Sequence, residues 1–157
     1  MNISKFVITD HIKENGEIFV VKRIFFNKFS SIKATITKDS REYFKIDIEQ
    51  DSKIEKSITE NEYLELSKQK YIGLTTKFRS IIKPLDLNMT IYYDKYIGGL
   101  NNLSILTVHH DSDIPSETIK NYISEKYVIN VTDETHNDRY SSFNLGLLNN
   151  IVENKKK

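Results

Sequence analysis

The chain of 157 residues contains no cysteine. Disulfides, thiolate metal sites and thiol nucleophiles are thereby excluded together, and a reducing, intracellular setting with a cytoplasmic location is expected. No apolar run approaches the roughly 18 residues that a membrane-spanning helix requires. The first residues, MNISKFVITD, lack a basic region followed by an apolar core, so a soluble protein with no signal peptide and no membrane partner is expected. Nor does one sign of charge dominate. The formal net charge is +1 although 29% of the residues are charged, a balance that disfavours a general basic coat for duplex DNA. Familiar catalytic signatures are missing as well: GxxxxGKS/T, GxGxxG, HExxH and GxSxG do not occur. There is no internal repeat, low-complexity tract or linker. Abundant Lys, Asn and Ile match the codon bias of an AT-rich genome, such as that of a low-GC bacterium or a large phage.

What is present is length and alternation. A chain of this size buries roughly two thirds of its unfolded surface, enough for one compact domain. A single domain is expected over residues 1–150, with 151–157 as a frayed tail. Residues 3–9 read as a strand that sets Ile3, Lys5 and Val7 on one face, where the lysine needs a partner or water. A polar turn over 10–17, ending near Gly16, precedes the strand 18–26, IFVVKRIFF. A hairpin follows. Ile32, Ala34 and Ile36 alternate with Lys33, Thr35 and Thr37, and beyond the DSRE turn Phe44, Ile46 and Ile48 alternate with Lys45 and Asp47. The next stretch, QDSKIEKSIT, can place Lys53, Glu55 and Ser57 on one face. Thr59 and Glu62 form a capping-box pair that predicts a helix ending near Lys70. A second helix is predicted within 111–127, with Asp113 or Ser116 as its cap, Pro115 in its first turn, and Ile119, Tyr122 and Ile123 as its apolar stripe. YVINVT then reads as a short strand and DETHNDRY as a polar loop, while SSFNLGLLNNIV is apolar without a settled type.

Between the two helices, residues 74–110 hold three alternating runs separated by Gly- or Pro-bearing turns, which predicts an antiparallel meander. Lys77 and Arg79 lie two apart and share a strand face, with Phe78 on the other. Ile91 and Tyr93 alternate with Tyr92 and Asp94, and Ile105 and Val108 sit among Leu106, Thr107, His109 and His110. Two arrangements satisfy this pattern. One is an ordinary antiparallel sheet with an apolar face and a wet face; the other is a closed sheet whose polar face is its inside.

Candidate site residues follow from the same placement. His109, His110 and Asp111, with His136, suggest a metal, but adjacent strand residues point to opposite faces, which argues against the histidine pair binding one ion. Tyr92, Tyr93 and Tyr96 suit either a base-stacking platform or ordinary strand packing. The cations at strand positions are Lys5, Lys33, Lys77, Arg79 and Arg139, with Lys22 or Arg23 as further members. If they face one lumen they repel each other unless an anion lies between them, and polyphosphate is the anion whose oxygens suit arginine forks and lysine point charges along a groove.

The order of these pieces resembles the CYTH superfamily, the triphosphate tunnel metalloenzymes. KSITENEYLELSK is similar to that family's acidic strand end and following helix, and LTTKFRSII to its K-x-R strand. MTIYYDKYIGGLNNLSILTV resembles its aspartate strand, Gly-Leu turn and next strand; VINVTDETHNDRYSSFNL resembles its closing region; and MNISKF aligns with its E-x-E-x-K strand. The resemblance implies an α+β fold: an antiparallel β-barrel or tunnel of about eight strands with helices packed outside. It implies phosphate binding by Lys5, Lys77 and Arg79, with Lys33 and Arg139 at approximate matches. It also implies a divalent metal held by glutamates. At those glutamate positions this chain has Met1 and Ile3, then Thr107 and His109, then Asn130, leaving Glu55 and Asp94 as the acids.

Cations retained and acids lost predict a basic tunnel that binds a phosphate-rich ligand, namely a nucleotide, polyphosphate or RNA 5′ end, with catalysis lost and no cofactor. Two rivals differ in kind. In one, a metal-dependent triphosphatase has rebuilt its site from Glu55, Asp94 and His109, with magnesium or, better suited to mixed nitrogen and oxygen donors, manganese. In the other, the barrel is a non-catalytic scaffold for a protein or RNA partner, as in a phage regulator.

Overall fold

A computed structural model describes residues 2–13, 17–84 and 87–155. Met1, the expected turn end Gly16 and the last two lysines lie outside the described residues. Nine strands are present among the described residues: β1 (Asn2–Ile8), β2 (Ile18–Asn27), β3 (Ser30–Ile36), β4 (Arg41–Glu49), β5 (Ser52–Ile58), β6 (Gly73–Ile82), β7 (Met89–Tyr96), β8 (Ser104–His110) and β9 (Val131–Asp133). They form one sheet in the order β5-β4-β3-β2-β6-β7-β8-β1-β9, antiparallel at every pairing. Three helices complete the α+β fold: α1 (Glu60–Ser67), α2 (Ser116–Tyr127) and α3 (Ser142–Lys155). The expected meander is β6, β7 and β8. The strand count exceeds the expected eight because the three-residue β9 pairs with the outer side of β1.

The alternation in the sequence decides which residues meet the helices. On β1, β7 and β8 the convex face carries Phe6, Ile8, Ile91, Leu106 and Val108, which pack with Ile119 and Ile123 of α2. On β2 and β3 it carries Ile24, Ile32 and Ala34, which pack with Tyr63 of α1. The α1 cap is as predicted: Thr59 Oγ1 accepts from the Glu62 backbone at 3.1 Å, and Glu62 Oε1 accepts from the Thr59 backbone at 3.2 Å. That helix stops at Ser67, short of the expected end. Helix α2 departs in its start: Pro115 occupies the cap with no side-chain bond, and Ser116 is already helical. The Ser116 hydroxyl instead donates to Asp133 Oδ2 at 2.8 Å, tying the helix to β9.

Residues 142–155, unassigned from sequence, are helical because Leu145, Gly146 and Asn149 recur at helical spacing and are buried together. The helix continues through 151–155, where a frayed tail is expected from sequence. Its placement controls the shape of the molecule. Leu145 packs with Tyr96, Leu100 and Ile105, and Val7 and Tyr140 flank them, so α3 lies across one end of the concave face. The approach is close enough that a Cβ on Gly146 would stand 2.8 Å from Cδ2 of Phe25.

Candidate functional site

The concave face encloses a cavity of about 400 Å³, and six cations line it: Lys5 from β1, Arg23 from β2, Lys33 from β3, Lys53 from β5, and Lys77 and Arg79 from β6. Cavity-lining residues from both β1 and β5, which stand far apart in the hydrogen-bonded order, require the sheet to curl round. Among the described residues the ladder itself ends at β5 and β9 without joining, and α3 closes the end where Tyr140 and Ser142 contribute to the wall.

At the centre is Asp94. Antiparallel register sets Arg79 directly opposite Asp94 and Lys77 opposite Tyr96, so both cations rise from the face that bears the carboxylate. Arg79 Nε donates to Oδ1 at 2.7 Å and its Nη2 to Oδ2 at 2.9 Å, while Lys77 Nζ donates to Oδ2 at 3.0 Å. Asp94 is only 1% exposed. Burial works to raise its pKa, but the charges of Lys77 and Arg79 and their hydrogen bonds outweigh that effect and hold the carboxyl below its usual range. Burial dominates at Lys77, pushing its ammonium down to about 8 despite the pull of Asp94. Desolvation pushes Arg79 down, but its hydrogen bond to Asp94, the Asp94 charge and the nearby Tyr96 and Tyr92 together outweigh that and move it upward.

The other cations are less fully matched. Lys33 Nζ lies 2.6 Å from Glu55 Oε1, and Lys53 Nζ lies 4.0 Å from Glu55 Oε2. Glu55 is lowered: desolvation pushes it up, and the Lys33 hydrogen bond and surrounding cations bring it down further. Lys5 Nζ donates to the Tyr140 carbonyl at 3.1 Å, and its pKa is lowered by burial in spite of Asp94. Arg23 and Lys53 are lowered chiefly by desolvation, with Lys53 further depressed by Arg23 and Lys33. Six cations thus stand against two carboxylates, Asp94 and Glu55. Aromatic rings lie beside four of the cations as well, with Arg79 4.9 Å from the Tyr92 centroid, Lys77 5.5 Å from that of Tyr96, Arg23 4.6 Å from that of Phe25 and Lys33 5.0 Å from that of Phe44.

Of the five phosphate-site residues expected from sequence, Lys5, Lys33, Lys77 and Arg79 converge on the cavity. Arg139 does not line it. That residue sits in a 3-10 turn, Asp138–Tyr140, where its guanidinium lies 5.9 Å from the Tyr140 ring and Tyr140 itself forms the wall. Of the two further candidates, Arg23 lines the cavity and Lys22, on the alternate face, is exposed. Lys53 is the cation the expectation left out. Its alternation with Glu55 and Ser57 is visible in sequence, but nothing local says that an edge strand folds back toward β1.

The histidine pair divides as strand geometry requires. His109 lines the cavity, and its ring meets Tyr92 edge-on with centroids 5.1 Å apart; His110 is buried on the convex side against Ser4. The metal set suggested from sequence is not gathered: among the described residues no group of three or more His, Asp or Glu side chains is placed to hold an ion. Both oxygens of Asp94 are occupied by Arg79 and Lys77, and Glu55 is held by two lysines. The donors present therefore do not fit the hard, carboxylate-rich coordination of magnesium. Tyr92 and Tyr96 face the cavity, whereas Tyr93 belongs to the convex core.

No protein-family model and no curated protein matches the chain. Among solved structures it is similar to the crystal structure of the inorganic triphosphatase NE1496, with a TM-score of 0.68 and 16% sequence identity over 92% of this chain and 96% of that one. A second structure of NE1496, described there as a hypothetical protein, superimposes at the same TM-score of 0.68 with 15% identity over 93% and 97% of the two chains. At such identities the likeness is one of fold. The chain has the CYTH-like antiparallel tunnel fold. Helices α1 and α2 pack on the outside of the sheet, whereas α3, contrary to the expectation of helices outside, lies across one end of its concave face. Among the described residues, no helix is long and apolar enough to cross a membrane.

Proposed function

We propose that the cavity binds a phosphate-rich ligand, such as a nucleotide, polyphosphate or RNA 5′ end, and that binding needs no metal. The observation that carries this reading is the surplus of charge: six cations and one carboxylate, Asp94, line about 400 Å³, and a second carboxylate, Glu55, pairs with Lys33 and Lys53. Cations held together in a partly desolvated space destabilise one another, and an oligoanion relieves that repulsion along its length. Arg79 and Arg23 offer planar forks to phosphate oxygens, and the lysines offer adjustable point charges. The likeness to NE1496, called an inorganic triphosphatase, supports the same class of ligand.

Catalysis is lost on this reading. Metal-assisted triphosphate hydrolysis requires hard carboxylates beside the reacting phosphate. The positions where the CYTH resemblance implies such groups carry Ile3, Thr107 and His109, and both acids at the cavity are already tied to cations. The test is calorimetric titration with inorganic tripolyphosphate in EDTA, beside phosphate-release assays with magnesium and manganese. Binding without metal is expected, weakened about tenfold or more by Arg79→Ala through loss of a charge-assisted contact. A robust metal-stimulated rate that Lys77→Ala abolishes would overturn the reading in favour of the triphosphatase with a rebuilt site.

A further inference from the structure

We propose that the open rim formed by Ile3, Tyr92 and His109 receives an uncharged aromatic group on the ligand, so that the cavity recognises a nucleoside-type phosphate ester in preference to inorganic polyphosphate. The inference rests on the phosphate-binding reading and adds the chemistry of the ligand's outer end.

Exposure sets the direction of entry. Near α3 the side chains of Asp94 and Lys77 are 2% and 11% exposed, Arg79 is 27% exposed, and Ile3 is 51% exposed. The cavity is therefore a cup: closed where Tyr140 and Ser142 contribute to its wall, open where β1 begins and β8 ends. A phosphate chain enters by its terminus, and whatever that chain is attached to remains at the rim.

One wall of the rim lacks charge. Register places Ile3 beside His109, and His109 beside Thr90; one step further in, Lys5 and Tyr92 flank Thr107. Of these, Lys5 alone is a fixed cation, and its ammonium turns inward to the Tyr140 carbonyl. Desolvation, Arg79 and His110 lower the pKa of the His109 imidazole, which favours its neutral form, and it presents a flat ring. That ring is already held, standing at 68° to Tyr92, over which Arg79 lies at 4.9 Å. Half-exposed Ile3 next to it is an apolar surface with no partner of its own in the core clusters. Charge at the entrance comes from the opposite wall, where Lys53 is half exposed. An oligophosphate with nothing attached would set its outermost charge against isoleucine and a neutral imidazole, whereas a nucleobase or similar ring finds stacking and apolar contact there.

ATP and methyl triphosphate separate the effects, since they carry the same charge and differ only in the nucleoside. Each is titrated calorimetrically in EDTA, with tripolyphosphate alongside, against wild type, Ile3→Ser and His109→Ser. Both substitutions are at surface-accessible positions and leave the cations in place. ATP is expected to bind wild type about tenfold tighter than methyl triphosphate, the size of one stacked ring. The gap should narrow severalfold in both variants while tripolyphosphate affinity stays constant. Equal affinity of wild type for ATP and methyl triphosphate overturns the inference and leaves phosphate binding standing. Failure of all three ligands to bind overturns phosphate binding itself and this inference with it.

Discussion

Arg79 and Asp94 face each other across β6 and β7 in a two-bond pair, Nε to Oδ1 at 2.7 Å and Nη2 to Oδ2 at 2.9 Å. With Lys77 on the same carboxylate, Asp94 is the counter-ion that lets two cations remain in the cavity before any ligand arrives. Asp94→Asn leaves both short of a partner, and loss of one member of a buried ion pair destabilises by about 3–5 kcal/mol. Denaturant unfolding should show a loss of that size, and tripolyphosphate should restore part of it by mass action. The carboxyl is depressed below its ordinary value of 3.8. Its contribution is present above that pH and vanishes as pH falls from 3.8 through the lower folded value. Wild type should therefore lose more stability than Asp94→Asn across that acid interval.

On the phosphate-binding reading, Lys77 makes ligand binding dependent on pH. Burial places its ammonium at about 8 in the free protein, and a phosphate beside it stabilises the charged form. Binding near pH 8 should thus take up protons, detectable as a calorimetric heat that varies with the ionisation enthalpy of the buffer. Tripolyphosphate affinity should fall as pH rises through 8, by about tenfold for the loss of one charge-assisted contact. Lys77→Met should reduce the proton uptake, leaving what the lowered Lys5 and Lys53 contribute. The same shift has the opposite sign in unfolding: between 8 and the ordinary value of 10.5 the unfolded chain holds more protons, so Lys77 itself makes the fold more stable as pH rises.

What is legible in the sequence is whatever a period of two encodes. Lys77 and Arg79 alternate with Phe78, and Lys5 with Phe6, so their common faces follow from residue order alone, as does the opposition of His109 and His110. Arg139 departs from expectation because it lies in a turn, where no period constrains direction. Lys53 escapes a local reading because its role depends on the long-range curl that brings β5 and β1 to one cavity. The type of segment 142–155 depends on tertiary packing: with Gly146 in its middle and Asn149 on its buried face, the helix gains its stability against Phe25 and Leu145's neighbours rather than from intrinsic preference.

Ser4 and His110 form a second buried pair on the opposite side of the sheet. The His110 Nδ1 lies 3.0 Å from the Asp111 carbonyl, which can only accept, so Nδ1 donates and Nε2 is left to accept from the Ser4 hydroxyl at 2.7 Å. The two residues are 2% and 1% exposed. Ser4→Ala would leave a buried nitrogen without its partner and should destabilise by about 1–3 kcal/mol. Because the pair faces away from the cavity, tripolyphosphate affinity should be unchanged in calorimetry. A change in affinity without a change in stability would contradict this placement.

The closed end of the cup depends on how tightly α3 seats. A Cβ on Gly146 would meet Phe25 Cδ2 at 2.8 Å and Cε2 at 3.0 Å, closer than side-chain atoms normally approach. The Phe25 ring is itself confined, lying edge-on to Phe143 of the same helix with centroids 5.7 Å apart. Gly146→Ala must therefore move the helix or the ring, and overpacking of this kind destabilises by about 1–3 kcal/mol even though alanine is the better helix former. Since Tyr140 accepts from Lys5 just before the helix begins, displacing α3 also loosens the backstop behind that cation. The denaturation midpoint and the tripolyphosphate affinity should then fall together. Leu148→Ala, on a side of the same helix where Leu148 is 41% exposed, should leave affinity unchanged and alter stability by no more than about 0.5 kcal/mol. Equal effects from the two substitutions would mean that α3 does not seal the cup.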